Sequence, residues 1–141
     1  MAAAVAAALA LAFPVHGWIP ATHGPDGGTV WAGRIPNTVA PDRRLSGIYL
    51  PPRFTPTRRY PVVYLLHGMA GSPASIYRGM QLAKVADDMI AAGAPPFIAV
   101  MPVAGPQVDP NSGEWAGVWE KYLVRDVVPW VDGSSGTVKP A

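Results

Sequence analysis

Tyr60-Pro61-Val62-Val63-Tyr64-Leu65-Leu66-His67-Gly68-Met69-Ala70-Gly71-Ser72 is the stretch that decides the fold. Pro61 to Leu66 is an apolar run without a charge. A short run of this kind, β-branched and aromatic, reads as a strand buried on both faces. It breaks at His67-Gly68, and a further glycine follows at 71. Ser72-Pro73 then offers a good N-cap and a residue suited to the first helical position. Buried strand, glycine-rich turn and helix start leave backbone N–H groups directed into open space. They stand at the carboxyl edge of a sheet, where parallel sheets take their ligands.

Upstream, the runs Thr29 to Ile35 and Arg44 to Leu50 alternate or nearly alternate, with Pro36-Asn37 and Ala40-Pro41-Asp42 as turn chemistry between them. They read as an antiparallel pair. Pro51-Pro52 ends the second strand, because proline cannot donate to a ladder. Downstream, Ile76, Met80, Ala83, Ala86 or Asp87, and Ile90 fall on one face of a helix that starts at Ser72 or Ser75 and reaches about Ala92. Gly79 marks an interruption, and Gly93 is a natural C-terminal cap. Phe97 to Met101 reads as a second buried parallel strand, stopped by Pro102. Gly105 to Gly117 is a loop of the length that tends to be functional or mobile. Trp119, Tyr122, Leu123, Val127, Trp130 and Val131 recur at helical spacing, and Pro129 is expected to bend or stop that helix. An antiparallel strand pair followed by parallel strand–helix–strand–helix makes an α/β chain. Right-handed crossovers then place its helices on opposite faces of the sheet.

Four segments carry a resemblance. Ser46-Gly47-Ile48-Tyr49-Leu50-Pro51-Pro52, the Tyr60 to Ser72 stretch, Phe97-Ile98-Ala99-Val100-Met101-Pro102 and the run Trp119 to Trp130 resemble, in that order, a secreted esterase family of α/β-hydrolases. Feruloyl and acetyl esterases and the mycolyltransferases are similar to it. The resemblance covers about residues 29–132. It implies the first half of an α/β-hydrolase sheet, truncated before the nucleophile strand and its G-x-S-x-G elbow. It also implies that the Met69 backbone N–H, with Gly68 allowing close approach, donates to the oxyanion of an ester carbonyl. His67 precedes any nucleophile, whereas the triad order in this fold is Ser, acid, His; it reads as a structural loop residue at the cleft rather than the base. Trp115, in the loop, is a candidate for the substrate cleft, and Asp109 and Glu114 lie near it in sequence. Trp119 reads as core. Gly133-Ser134-Ser135-Gly136 fails as an elbow, because Thr137 stands where a glycine is required and no apolar strand precedes it. With no member of the triad present, these 141 residues alone are expected to be inactive. The same residues are compatible with an acyltransferase of the mycolyltransferase type, or with a non-catalytic secreted carbohydrate-binding module.

Composition bounds the rest. Half the residues are hydrophobic and 14% charged, which supports a packed core. The organisation read from the sequence is a signal-like apolar segment and Pro/Gly linker at 1–28, one partial domain at 29–132 and a polar tail at 133–141. A net charge of +2, with no basic run longer than a pair, argues against nucleic acid. Cysteine is absent, which excludes a thiol nucleophile and Cys-ligated metal within these residues. His16 and His23 lack a third ligand, so neither metal nor cofactor is expected. Ala2 to Phe13 is apolar but shorter than the roughly 20 residues of a membrane span. It fits the h-region of a signal peptide, so the expected location is secreted or cell envelope. A strand left without its neighbour predicts self-association.

Overall fold

Alternating side chains in the strands build two cores, one on each face of a single sheet. The structure, a computed structural model, describes residues 15, 17–36, 38, 45–68, 71–105 and 115–134. Among these, five strands form the sheet: β1 (Ile19–His23), β2 (Thr29–Gly33), β3 (Ser46–Leu50), β4 (Val62–Tyr64) and β5 (Ile98–Met101). Their order is β1-β2-β3-β5-β4. β4 and β5 are parallel, and the other neighbours are antiparallel. Trp31 stands opposite Ile48, Ile48 opposite Val100, and Val63 opposite Ala99.

The antiparallel pair read from the sequence is β2–β3. The stretch His16 to Gly28, read as a linker, instead contains β1. Pro20 and a register irregularity between Pro20 and Thr22 hide the period-two pattern there. Proline is tolerated because β1 is an edge strand whose outer N–H groups need no partner.

The first helical segment is interrupted, as Gly79 suggested. α1 (Ser75–Gly79) is one π-wound turn, and α2 (Leu82–Ala91) follows it. Between them Gln81 takes φ 52° and ψ 48°, a left-handed conformation that no sequence signal marked. Helical winding opens at Pro73, as the Ser72-Pro73 pair suggested, and passes into α1 at Ser75. The Ser72 N–H donates to Ser75 Oγ at 3.2 Å. Gly93, at φ +110°, closes α2. Its N–H donates to Ile90 O at 3.1 Å and the Ala94 N–H to Met89 O at 3.0 Å, the two bonds of a Schellman motif. The last helix continues through Pro129 as α3 (Val118–Tyr122), a π turn (Leu123–Val127) and α4 (Val128–Asp132). Pro129 has no N–H for the preceding turn, and the wider winding ahead of it absorbs that loss.

The helices lie on opposite faces. Ala83 and Ala86 of α2 pack with Val30, Tyr49, Ala99 and Met101. Trp119, Tyr122, Val127 and Val131 pack with Ile48, Leu50, Ile98 and Val100. Val15 and Trp18 belong to this second core, and the Trp18 ring stacks on Trp130 with centroids 6.0 Å apart. β5 is fully buried, as read. β4 is not: Val63 is 42% exposed, as is Leu66 just past the strand's end. The reason is position, since among the described residues β4 has β5 on one side and nothing on the other.

Candidate functional site

The parallel strands β4 and β5 end side by side. The Leu65 N–H still donates to Val100 O at 2.9 Å, and the chain then leaves the sheet at His67. His67 is buried, 3% exposed. Its Nε2 accepts the Ala104 N–H at 3.0 Å, from the chain just past β5. An imidazole that accepts at Nε2 carries its proton on Nδ1. Nδ1 lies 3.0 Å from Gly68 O and donates to it. The Gly71 N–H reaches the same oxygen at 3.0 Å. Trp115 approaches from just ahead of α3. Its Nε1–H donates to His67 O at 2.9 Å, and its ring meets the imidazole edge-on at 5.4 Å. The Val103 N–H donates to Ser46 Oγ at 3.1 Å, which fixes the segment that carries Ala104.

The arrangement is a glycine-bearing turn held from three elements at the carboxyl edge of the parallel strands. Gly68 is exposed, and nothing lies within 4 Å of the place a Cβ would take. His67 and Trp115 are brought together here, His67 as a hydrogen-bonded loop residue. Both of its ring nitrogens are engaged, so it has no free lone pair to act as a base. Trp119 is a core residue, 4% exposed. Met69, Asp109, Glu114 and Ser135 lie outside the described residues. No group of three or more His, Cys, Asp and Glu among the described residues could hold a metal ion. No helix among them is long and apolar enough to cross a membrane.

Sequence reasoning missed a second buried polar centre. Asp87 of α2 is fully buried. It accepts the Tyr49 hydroxyl at 2.7 Å, the Asp26 N–H at 2.8 Å and the Gly28 N–H at 3.1 Å. Gly24 and Gly28 must lack side chains here, because a Cβ at either would overlap the Asp87 carboxylate. The carboxylate thus fastens α2 to the β1–β2 turn and to β3. Burial, and then the bond to Asp87, push the Tyr49 phenol far above its ordinary value. The only signal in the sequence was an acid on an otherwise apolar helix face. Tyr64 is pushed up to about 12, chiefly by burial and further by the charge of Asp132.

Beside β4 runs an apolar groove of about 510 Å³, lined by Tyr64, Leu65, Leu66, Ile76, Met80, Leu82 and Val85.

A family model described as “Putative esterase” matches residues 39–140. A solved structure titled as a ferulic acid esterase superposes with a TM-score of 0.67 at 22% identity, covering 79% of this chain and 44% of its own. A mutant of the feruloyl esterase module from Clostridium thermocellum, complexed with sinapinate, superposes at 0.63 and 22% identity, covering 85% of this chain and 42% of its own. Likeness at this identity is one of fold, and the chain spans less than half the length of either structure.

Proposed function

The chain belongs to the “Putative esterase” family, and on that premise we propose that it supplies the oxyanion-binding part of a serine carboxylic-ester hydrolase. The observation that supports this most is the turn after β4, where His67 is held by Ala104 and Trp115 and Gly68 stands exposed. The Met69 backbone N–H donates to the oxyanion as the ester carbonyl becomes tetrahedral. One such donor contributes about 3–4 kcal/mol to the transition state. His67 and Trp115 form the adjoining wall of the cleft. His67 moves no proton, because both ring nitrogens are already bonded. The nucleophile, its base and the acid that orients the base are not among these 141 residues. Those three act as a unit, so the residues here do not turn over ester on their own.

The test is hydrolysis of short p-nitrophenyl esters, by these 141 residues and by the product of the reading frame continued past codon 141. The expected result is no turnover by the first. Turnover by the second is expected, lost when the Ser of a G-x-S-x-G is changed to Ala. Turnover by the 141 residues that disappears on Ser135→Ala, or a continued frame without the elbow, would overturn the proposal.

The Ala2 to Phe13 segment supports export of the protein. Val15 is fully buried and Trp18 nearly so, which requires both in the mature chain. The exported form should begin at or before Val15 on N-terminal sequencing; a form beginning after Trp18 would contradict this.

A further inference from the structure

A second cavity, of about 420 Å³, lies at the β1 edge of the sheet, the edge opposite β4 and its turn. Thr22 and Pro25, from the end of β1 and the turn beyond it, form one side. Tyr77, Arg78, Gln81 and Lys84, around the α1–α2 joint, form the other. The volume falls within the roughly 300–1,000 Å³ of small-molecule sites. We propose that this cavity binds a small organic monoanion, a carboxylate carried on a flat apolar body, with Arg78 holding the charge.

Three features that the fold itself does not explain meet here. Gln81 takes the left-handed conformation at φ 52°, which is strained for a residue other than glycine. Thr22 Oγ1 is buried and has no hydrogen-bond partner among the described residues. Buried hydroxyls are ordinarily satisfied, and on the wall of a cavity an occupant's oxygen is the partner within reach. Arg78 is exposed, and no carboxylate among the described residues pairs with it. Its guanidinium stands over the Tyr77 ring instead, 5.6 Å from the centroid.

The surrounding charges set the class of ligand. Lys84 Nζ lies 2.6 Å from Asp88 Oδ2, so those two offset each other. The Asp87 carboxylate is engaged by the Tyr49 hydroxyl and by the Asp26 and Gly28 N–H groups. Asp26 is exposed in the β1–β2 turn, and His23 faces Thr29 Oγ1 through Nδ1 at 3.1 Å. No acid among the described residues lines the cavity. α2 begins beside it with no acid in its first turn and no side-chain cap, so the positive end of its dipole is not offset. One uncompensated guanidinium suits one negative charge. Its planar fork holds a carboxylate by two parallel N–H···O bonds. Tyr77, Pro25 and Ala83 supply apolar wall, against which a flat apolar body packs. A hydrated inorganic anion would leave that wall wet.

The test is titration of the 141-residue chain with benzoate. Saturation-transfer difference NMR, which tolerates self-association, and titration calorimetry give the readout. The expected result is saturable binding with a dissociation constant on the order of 1 mM. Benzamide has the same body without the charge, and inorganic phosphate has charge without the body. Each should bind about tenfold more weakly or worse. Arg78→Gln should weaken benzoate about tenfold, and Lys84→Gln by less, because Asp88 already holds the amine. Arg78 is exposed, so its circular dichroism should match wild type. Benzoate binding undiminished in Arg78→Gln would put the ligand elsewhere, such as the groove beside β4, and overturn the proposal. Benzamide or phosphate binding as tightly as benzoate would overturn it too. So would the absence of saturable benzoate binding at about ten times the expected constant. None of these measurements reads ester hydrolysis, so the outcome is independent of the esterase reading.

Discussion

The sheet has two edges, and they are built differently. β1 carries Pro20, a register break and a polar end at Thr22 and His23. These are the devices by which natural edge strands avoid pairing with another chain. Its turn is fastened from beneath by Asp87. β4 has none of them. From Val62 through the two leucines that follow it carries no charge, and it borders an apolar groove. β1 is built as an edge; β4 has the composition of an interior strand, and among the described residues it has a neighbour on one side alone. Crossover geometry points the same way. β4 reaches β5 through helices on one face, while α3 and α4 lie on the other. A right-handed crossover from β5 by that second face, leading to another parallel strand, would deliver it beside β4.

The comparison breaks most visibly if the two parallel strands respond alike to charge. Val100 is fully buried in β5. Val100→Asp places an uncompensated charge there, a cost on the order of 5 kcal/mol, comparable to the whole stability of a small domain. Cooperative thermal unfolding followed by circular dichroism should be lost. Val63→Asp, one strand over, should shift stability by under about 1 kcal/mol, because its side chain already meets solvent.

The second way to sharpen it is to loosen the built edge. Asp87→Ala strands the Tyr49 hydroxyl and the N–H groups of Asp26 and Gly28. A buried donor without an acceptor costs about 1–3 kcal/mol, so the loss should be about 3 kcal/mol or more. Asp87→Asn keeps an acceptor and should lose less. Hydrogen exchange should quicken at β1 and β2 first and leave β4 unchanged.

The smallest effect is alkaline. Tyr64 on β4 is pushed up to about 12, from the usual value of about 10. The folded state then holds a proton that the unfolded chain releases, so this contribution is present below pH 10. It is lost as pH rises through about 12. Tyr49 is shifted in the same direction by burial and Asp87. Unfolding free energy should fall over that window, and Tyr64→Phe should make the fall shallower. An unchanged slope would mean that Tyr64 is as wet as the exposed residues of its strand.

How much of this was legible differs between the two edges for physical reasons. The strand–turn–helix order around Tyr60 to Ser72 was readable, because apolar runs, glycine breaks and the Gly79 and Gly93 signals are local. The exposure of β4 was not. Ile98-Ala99-Val100-Met101 and Val62-Val63-Tyr64 are alike in kind, and only the sheet order distinguishes them. β1 was missed because the features that make it a safe edge, Pro20 and the nearby glycines, are those that mark a linker. At the site, His67 was read as a loop residue from triad order alone. Its bonds to Ala104 and from Trp115 join residues 37 and 48 apart in sequence, which no local pattern records. Asp87 was visible only as an oddity on an apolar face, since its partners arrive from β3 and from the β1–β2 turn.

The central claim is that β4, unlike β1, is an edge open to pairing. Size exclusion with light scattering, on a chain beginning at Val15 so that the core and β1 are retained, tests it most directly. The account predicts that this chain self-associates and that Val63→Lys, which puts a charge on the open strand, restores a monomer with its circular dichroism intact. A wild-type chain that runs as a monodisperse monomer with a cooperative thermal transition would show that the open strand needs no partner.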